Sequence, residues 1–142
     1  MDTPNPIDPD LLRVERDGPI LHLRLNRPAK RNAVNDGLIL AIDRAFTGLP
    51  SDVRCVVLSG EGQHFCAGLD LSELVERDIH SGVLHSRMWH AAFDLIQFGR
   101  VPVVASGHTA CGVSQQIDQL GRMAETGVDS VILISNRLAM PG

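Results

Sequence analysis

The spacing of apolar residues changes along the chain, and each change marks an element. From Pro19 to Leu25 the residues alternate, with Leu21, Leu23 and Leu25 set against Ile20, His22 and Arg24. A period of two belongs to a strand with one buried face. Leu11–Arg16 is a second strand-like run, and Asp17-Gly18 between the two is a turn signal, so the pair predicts a hairpin. Asn26–Asn32 is a polar loop containing Pro28. Val34–Leu49 then predicts a helix, because Leu38, Ile39, Ile42, Phe46 and Leu49 recur at helical spacing. Asn35 or Asp36 can cap its start, and Pro50 stops it.

Arg54–Ser59 (RCVVLS) is a short, β-branched apolar run that reads as a buried strand, ended by Gly60-Glu61-Gly62. Phe65–Leu71 reads as a turn entering a helix. Leu84–Phe98 predicts a long helix with Leu84, Met88, Ala91, Ala92, Leu95 and Ile96 on one face and Gly99 at its end. Val101–Ala105 (VPVVA) is another buried strand. Val113–Glu125 predicts a helix with Ile117, Leu120 and Met123-Ala124 inward, Gly127 its stop, and Val131–Ile134 (VILI) a last strand. A strand pair followed by α, β, α, β, α, β predicts an α/β layered fold. Met1–Asp10, rich in proline and aspartate, reads as a loose leader.

Composition narrows the function classes. The chain has 142 residues, 44% hydrophobic and 21% charged, which suits one modest domain with a core. A net charge of -4 with no long basic run argues against nucleic acid or an anionic membrane as partner. The cysteines Cys55, Cys66 and Cys111 are odd in number and widely spaced, so they form neither a disulfide framework nor a zinc site. The N-terminus lacks the apolar core of a signal peptide, and no apolar run reaches the roughly 18 to 20 residues of a spanning helix. A soluble protein of the reducing cytoplasm is expected.

The chemistry concentrates in His64–Leu74 (HFCAGLDLSEL). Small residues Cys66-Ala67-Gly68 follow a strand and a glycine-rich loop; Asp70 or Ser72 can cap a helix with Glu73 in its first turn. The first N–H groups of a helix have no partner in the helix, so such a start takes an anion or a polarised carbonyl oxygen. Gly68 lets a ligand approach the backbone without meeting a Cβ. Those are the makings of half an oxyanion hole. The same residues also suit an ordinary strand-to-helix turn.

LNRPAKRNAV (Leu25–Val34), RCVVLSGEGQHFCAGLDLSEL (Arg54–Leu74) and VPVVA (Val101–Ala105) together, in this order and spacing, resemble the enoyl-CoA hydratase/isomerase (crotonase) family. The likeness covers residues 11–106. It implies crotonase-like ββα-type units, truncated, with a divergent β-α-β tail over 107–142. It implies an acyl-CoA substrate whose thioester enolate is held by two backbone N–H groups, no metal or redox cofactor, and coenzyme A only as part of the substrate. On the matching positions the first N–H is that of Leu69. Ala67, Gly68, Asp70 and Leu71 line the acyl-CoA pocket, and Lys30, Arg31 and Ala33 lie along the CoA arm. A basic pair suits CoA phosphates, although two loop cations can also be merely solvated.

The resemblance also implies a glycine run after VPVVA that supplies the second N–H. Here those positions hold Val113, Ser114 and Gln115, with Gly112 a displaced substitute, and no two glycines are adjacent anywhere. Glu125 does not sit in surroundings that match the family's acid/base glutamates. The family's second half and trimerisation helices are expected to be missing, which implies weak turnover or none. VPVVASGHT followed by QIDQLGRMAETGVDSVILIS is similar to a strand–helix–strand unit of the dihydrodipicolinate synthase / N-acetylneuraminate lyase family. Two alternatives follow: a non-catalytic truncated or chimeric fragment, joined at GRVPVVA, or a lyase fragment. The second wants a Schiff-base lysine and a tyrosine, yet Lys30 is the only lysine and there is no tyrosine.

Other conspicuous residues read blandly. His80, His85 and His90 recur every five residues, which keeps no helical face and is not zinc spacing. His64 reads as a surface turn histidine, His108 as a turn residue after a strand, and Cys66 as a small packing residue. Trp89 and Phe93 read as core or subunit interface, which leaves a homo-oligomer open.

Overall fold

The computed structural model describes residues 6–106 and 131–133. The expected helix Val113–Glu125, the glycine-run positions Val113–Gln115, Gly112, His108 and Glu125 lie outside the described residues, as does the start of the leader.

β1 (Leu12–Asp17) and β2 (Ile20–Leu25) form the expected hairpin, paired antiparallel from Leu12↔Leu25 to Asp17↔Ile20. Gly18 turns the chain at φ +55, a conformation glycine adopts without steric penalty. α1 (Asp36–Thr47) carries the chain to β3 (Cys55–Gly60), parallel to β2. α2 (Ile79–Phe98) carries it to β4 (Val103–Ser106), parallel to β3. β5 (Val131–Leu133) pairs antiparallel with β4, giving one sheet in the order β1-β2-β3-β4-β5. Parallel strands need crossover connections, and two successive crossovers of the same hand place both helices on one face.

That face holds the core. Leu21, Val56 and Val103 lie side by side across β2, β3 and β4, and so do Leu23, Leu58 and Ala105. Leu38, Ile39, Ile42, Ala45 and Phe46 of α1 and Ala92 and Ile96 of α2 pack on them. The apolar runs of β3 and β4 form strands, as expected. Their burial alternates, because among the described residues helices cover only one side; Val57, Ser59, Val104 and Ser106 on the other side are partly exposed.

α1 begins as expected. The Asn35 side chain accepts from the Leu38 N–H at 2.9 Å, and Asp36 adds negative charge to the first turn. α2 starts earlier than the expected Leu84. Asp78 caps it by accepting from the Ser81 N–H at 2.7 Å. The added turn carries Ile79 and Val83, both exposed, so burial left no periodic signal there. Two residues expected on the inner face, Leu84 and Ala91, are exposed, whereas Ala92 and Ile96 are buried and Met88, Trp89 and Leu95 partly so. The reason is reach: α2 touches the core mainly through its second half. Its middle is held by polar contacts, with Asp36 Oδ1 accepting from Trp89 Nε1 at 2.9 Å and lying 2.6 Å from His85 Nε2. Among the described residues no helix is long and apolar enough to cross a membrane.

Truncating a leucine in each helix separates these environments. Leu38 is 0% exposed and Leu84 52%. Leu38→Ala should cost about 3 kcal/mol of unfolding free energy in urea titration, and Leu84→Ala less than about 0.5 kcal/mol. Equal losses would mean that the first half of α2 is buried after all.

Candidate functional site

Three stretches meet above the C-terminal ends of β2 and β3: Arg27–Val34, Gly60–Phe65 and Cys66–Glu73. The first two are joined at Asn32, which is 0% exposed. Its Oδ1 accepts from the Arg27 N–H at 2.8 Å, and its Nδ2 donates to the Glu61 carbonyl at 2.9 Å and the His64 carbonyl at 2.6 Å. Arg31 and Asn32 turn the chain through left-handed φ angles of 52° and 57°. Asparagine tolerates that region better than most side chains. Gly60 leaves room for the crossing, since a Cβ there would fall on the His64 and Phe65 carbonyl oxygens.

The motif loop then forms an isolated parallel bridge between Val34 and Leu69. The Val34 N–H donates to the Gly68 carbonyl at 2.7 Å, and the Asp70 N–H donates to the Val34 carbonyl at 2.9 Å. A further bond, from the Ala67 N–H to the Arg31 carbonyl at 3.0 Å, extends the contact. In a trans peptide the C=O and the following N–H point in opposite directions. With the Gly68 carbonyl turned to Val34, the Leu69 N–H faces outward, and among the described residues no acceptor meets it. Gly68 has φ +96, and a Cβ on it would point into open space. Its role is conformational, and it leaves the approach to the Leu69 N–H unobstructed.

This differs from the expected cause. The sequence suggested a helix N-terminus after Gly68, but the chain makes only one 3-10 turn, Leu71–Glu73, before extending at Leu74. Asp78, a second capping residue, starts the helix instead. The outward N–H therefore comes from bridge geometry and not from a helix start. The Asp70 cap was expected and is present, with its Oδ1 accepting from the Ser72 N–H at 3.0 Å and the Ser72 hydroxyl at 2.6 Å.

Asp70 is 6% exposed, and its other oxygen accepts from Arg27 Nη2 at 3.0 Å. Arg27 also donates through Nη1 to the Ala33 carbonyl. The Ser72 hydroxyl and the Arg27 guanidinium hold the Asp70 carboxyl down to about 2. Of the sequence candidates, Asp70 and Ala33 are buried, whereas Lys30, Arg31, Ala67, Gly68, Leu69 and Leu71 are exposed. The bridge brings Arg31, Ala33 and Val34 beside Ala67–Asp70. Cys66 is partly buried and packs on the core, as expected.

The supporting residues had weaker sequence signals. Arg27 and Asp70 are far apart in the chain, and nothing local links them. Asn32 had one signal, an asparagine in a tight polar loop after proline. Asp36 gathers His85, Trp89 and Arg77, the last at 3.6 Å from its Oδ2. Burial pushes the Asp36 carboxyl up, but the Trp89 and His85 hydrogen bonds and the His85 and Arg77 charges outweigh it and leave it below 3.8. Among the described residues no three His, Cys, Asp or Glu side chains gather as a metal site would require.

A family model described as enoyl-CoA hydratase/isomerase matches residues 15–113. The peroxisomal Delta(3,5)-Delta(2,4)-dienoyl-CoA isomerase of Arabidopsis thaliana is 31% identical over 116 residues, 72% of this chain and 42% of that protein. An enoyl-CoA hydratase of Mycobacterium tuberculosis is 39% identical over 71 residues, 49% of this chain and 26% of that protein. The crystal structure of enoyl-CoA hydratase from Mycobacterium smegmatis superposes with a TM-score of 0.63 at 34% identity, covering 67% of this chain and 38% of the other. The chain thus spans less than half the length of these proteins.

Two outcomes test the construction of the site. Asn32→Ala leaves the Glu61 and His64 carbonyls and the Arg27 N–H without their partner and should cost on the order of 3 kcal/mol in urea titration. A loss below about 0.5 kcal/mol would mean that water replaces the side chain. For Asp70 the ordinary carboxyl value is 3.8 and the native one about 2. The depressed native value means that the unfolded state takes up its proton first as pH falls. The stability from this carboxylate is therefore complete above roughly pH 4 and disappears towards pH 2. Acid unfolding followed by the fluorescence of Trp89 should show a slope in that window that Asp70→Asn lacks. Superimposable curves would mean that the carboxylate contributes nothing.

Proposed function

The chain belongs to the enoyl-CoA hydratase/isomerase family, and we propose that it binds an acyl-CoA thioester and stabilises the enolate form of its carbonyl at the Leu69 N–H. The observation that carries this reading is the outward peptide N–H beside Gly68, set on a bridge that no ligand needs to assemble. A donor fixed before the substrate arrives requires no reorganisation when charge develops on the oxygen. Lys30 and Arg31, exposed on the adjoining turn, supply positive charge for the CoA phosphates. Ala33, Ala67 and Gly68 keep the backbone between them slim. Leu71 gives the acyl chain an apolar surface.

The relatives' names place their substrates among unsaturated acyl-CoA esters, acted on by hydration or by double-bond migration. We assign that substrate class here, with coenzyme A entering as part of the substrate. A second N–H is needed to complete an oxyanion hole, and Val113–Gln115 carry no glycine run to supply it. The assignment is therefore of substrate binding and one donor, with turnover weak in comparison with the relatives.

The test is thermal unfolding of the purified protein with and without crotonyl-CoA. Ligand at about 100 times its Kd should add roughly 2.7 kcal/mol and raise Tm. Leu69→Pro removes the N–H together with the leucine side chain and fixes φ, so it is compared with Leu69→Ala, which keeps the N–H. A folded Leu69→Pro should keep the shift given by free CoA and lose the extra shift given by the thioester, whereas Leu69→Ala should keep both. A transition indifferent to crotonyl-CoA in the unmodified protein would overturn the reading and leave a non-catalytic fragment in its place.

A further inference from the structure

Resting on the reading of Leu69 as the donor to the thioester oxygen, we infer that Asp70 is a positioning residue: paired with Arg27 it fixes the peptide that presents the Leu69 N–H, and it does not touch the substrate. The direction of that N–H is set by the bond from the Val34 N–H to the Gly68 carbonyl in the same peptide plane, flanked by the Asp70–Val34 and Ala67–Arg31 bonds. The bridge around it is isolated and lies outside the sheet, so no neighbouring strand supports it. Gly68 at φ +96 offers little steric restraint, and beyond Asp70 the chain from Leu71 to Asp78 is exposed. A two-bond bridge next to a glycine and an exposed loop needs another fastening.

Arg27 provides it from both sides. One nitrogen of its guanidinium donates to the Ala33 carbonyl, next to Val34 on the first strand of the bridge. Another donates to the Asp70 carboxylate, next to Leu69 on the second. One planar, rigid group thus spans the bridge. The second carboxylate oxygen is taken by the Ser72 N–H and hydroxyl. Both oxygens are engaged and the side chain is 6% exposed, so burial leaves Asp70 little surface for a ligand to reach. The sequence placed Asp70 in the pocket lining beside Leu69, whereas its carboxylate acts from beneath the loop.

Two ligands that share the CoA moiety isolate this role. Butyryl-CoA carries the thioester carbonyl, and S-butyl-CoA, its thioether, lacks only that oxygen. The ratio of their dissociation constants, measured by isothermal titration, reads the carbonyl contact alone. In Asp70→Asn the amide faces donors on both sides with one acceptor. The preference for the thioester should fall about three- to tenfold, while S-butyl-CoA binds as in the unmodified protein. A folded Asp70→Asn that keeps the full preference overturns the inference and leaves Leu69 as donor. Equal weakening of both ligands would assign Asp70 a general structural role and overturn it too. No preference in the unmodified protein would overturn the reading of Leu69 and the inference with it. Should Asp70→Asn fail to fold, Ser72→Ala decides. It keeps the Arg27 pair and loosens only the second oxygen, and it should lower the preference by a smaller factor; an unchanged ratio counts against the inference.

Discussion

A buried asparagine side chain holds two loops of this protein, residues 27–34 and 60–65, at a fixed distance. Each loop brings backbone groups that the sheet cannot satisfy, because they lie beyond the strand ends. A buried carbonyl or N–H without a partner costs free energy comparable to a lost hydrogen bond. Asn32 satisfies the Arg27 N–H and the Glu61 and His64 carbonyls with one amide, which has both donor and acceptor atoms in a small volume. Leucine or alanine could fill the space but would leave those groups unpaired. The left-handed turn at Arg31 and Asn32 and the glycine at position 60 are consequences of the same crossing. Remove the amide, and the segments on which Val34 and Leu69 meet lose their common reference point.

From that crossing outward the site is built of backbone. The Val34–Leu69 bridge orients one peptide, Gly68 gives it an open approach, and the Arg27–Asp70 pair ties the two strands of the bridge together. Buried ion pairs gain less in net stability than their Coulomb attraction suggests, because both charges leave water. What they do supply is geometry, since an arginine fork accepts only a narrow range of carboxylate positions. That suits a loop proposed to hold an N–H in one direction.

Much of this was legible in the sequence where a local pattern carried it. The alternation of Leu21, Leu23 and Leu25 gave β2 and its inner face, Asn35 or Asp36 marked the start of α1, and the family resemblance of HFCAGLDLSEL, not its local pattern, implied Leu69. The errors follow from long-range causes. The first turn of α2 was hidden because Ile79 and Val83 are exposed and impose no period. The apolar run of β3 predicts a buried strand but does not say how many layers cover it, and its burial alternates. The cause of the outward Leu69 N–H was misread as a helix start, since the bridge that creates it joins residues from separate segments. Arg27 was invisible for the same reason: its partners, Ala33 and Asp70, are selected by the fold.

A single N–H matters only as much as its surroundings allow. In open water a peptide donor exchanges one hydrogen bond for another, and the net gain is about 1 kcal/mol. In a site closed to water the same donor acts through a lower dielectric and stabilises developing charge far more strongly. Around Leu69 the neighbouring side chains are apolar and exposed, with Leu69 at 46%, Leu71 at 70% and Leu74 at 56%. An acyl chain lying on them removes water from the chain, from the leucines and from the N–H at the same time. On the proposed reading, binding the hydrocarbon and polarising the carbonyl would become one event, and the length and fit of the acyl chain would set the strength of the contact to the Leu69 N–H, although the chain itself would take no part in the chemistry at the thioester.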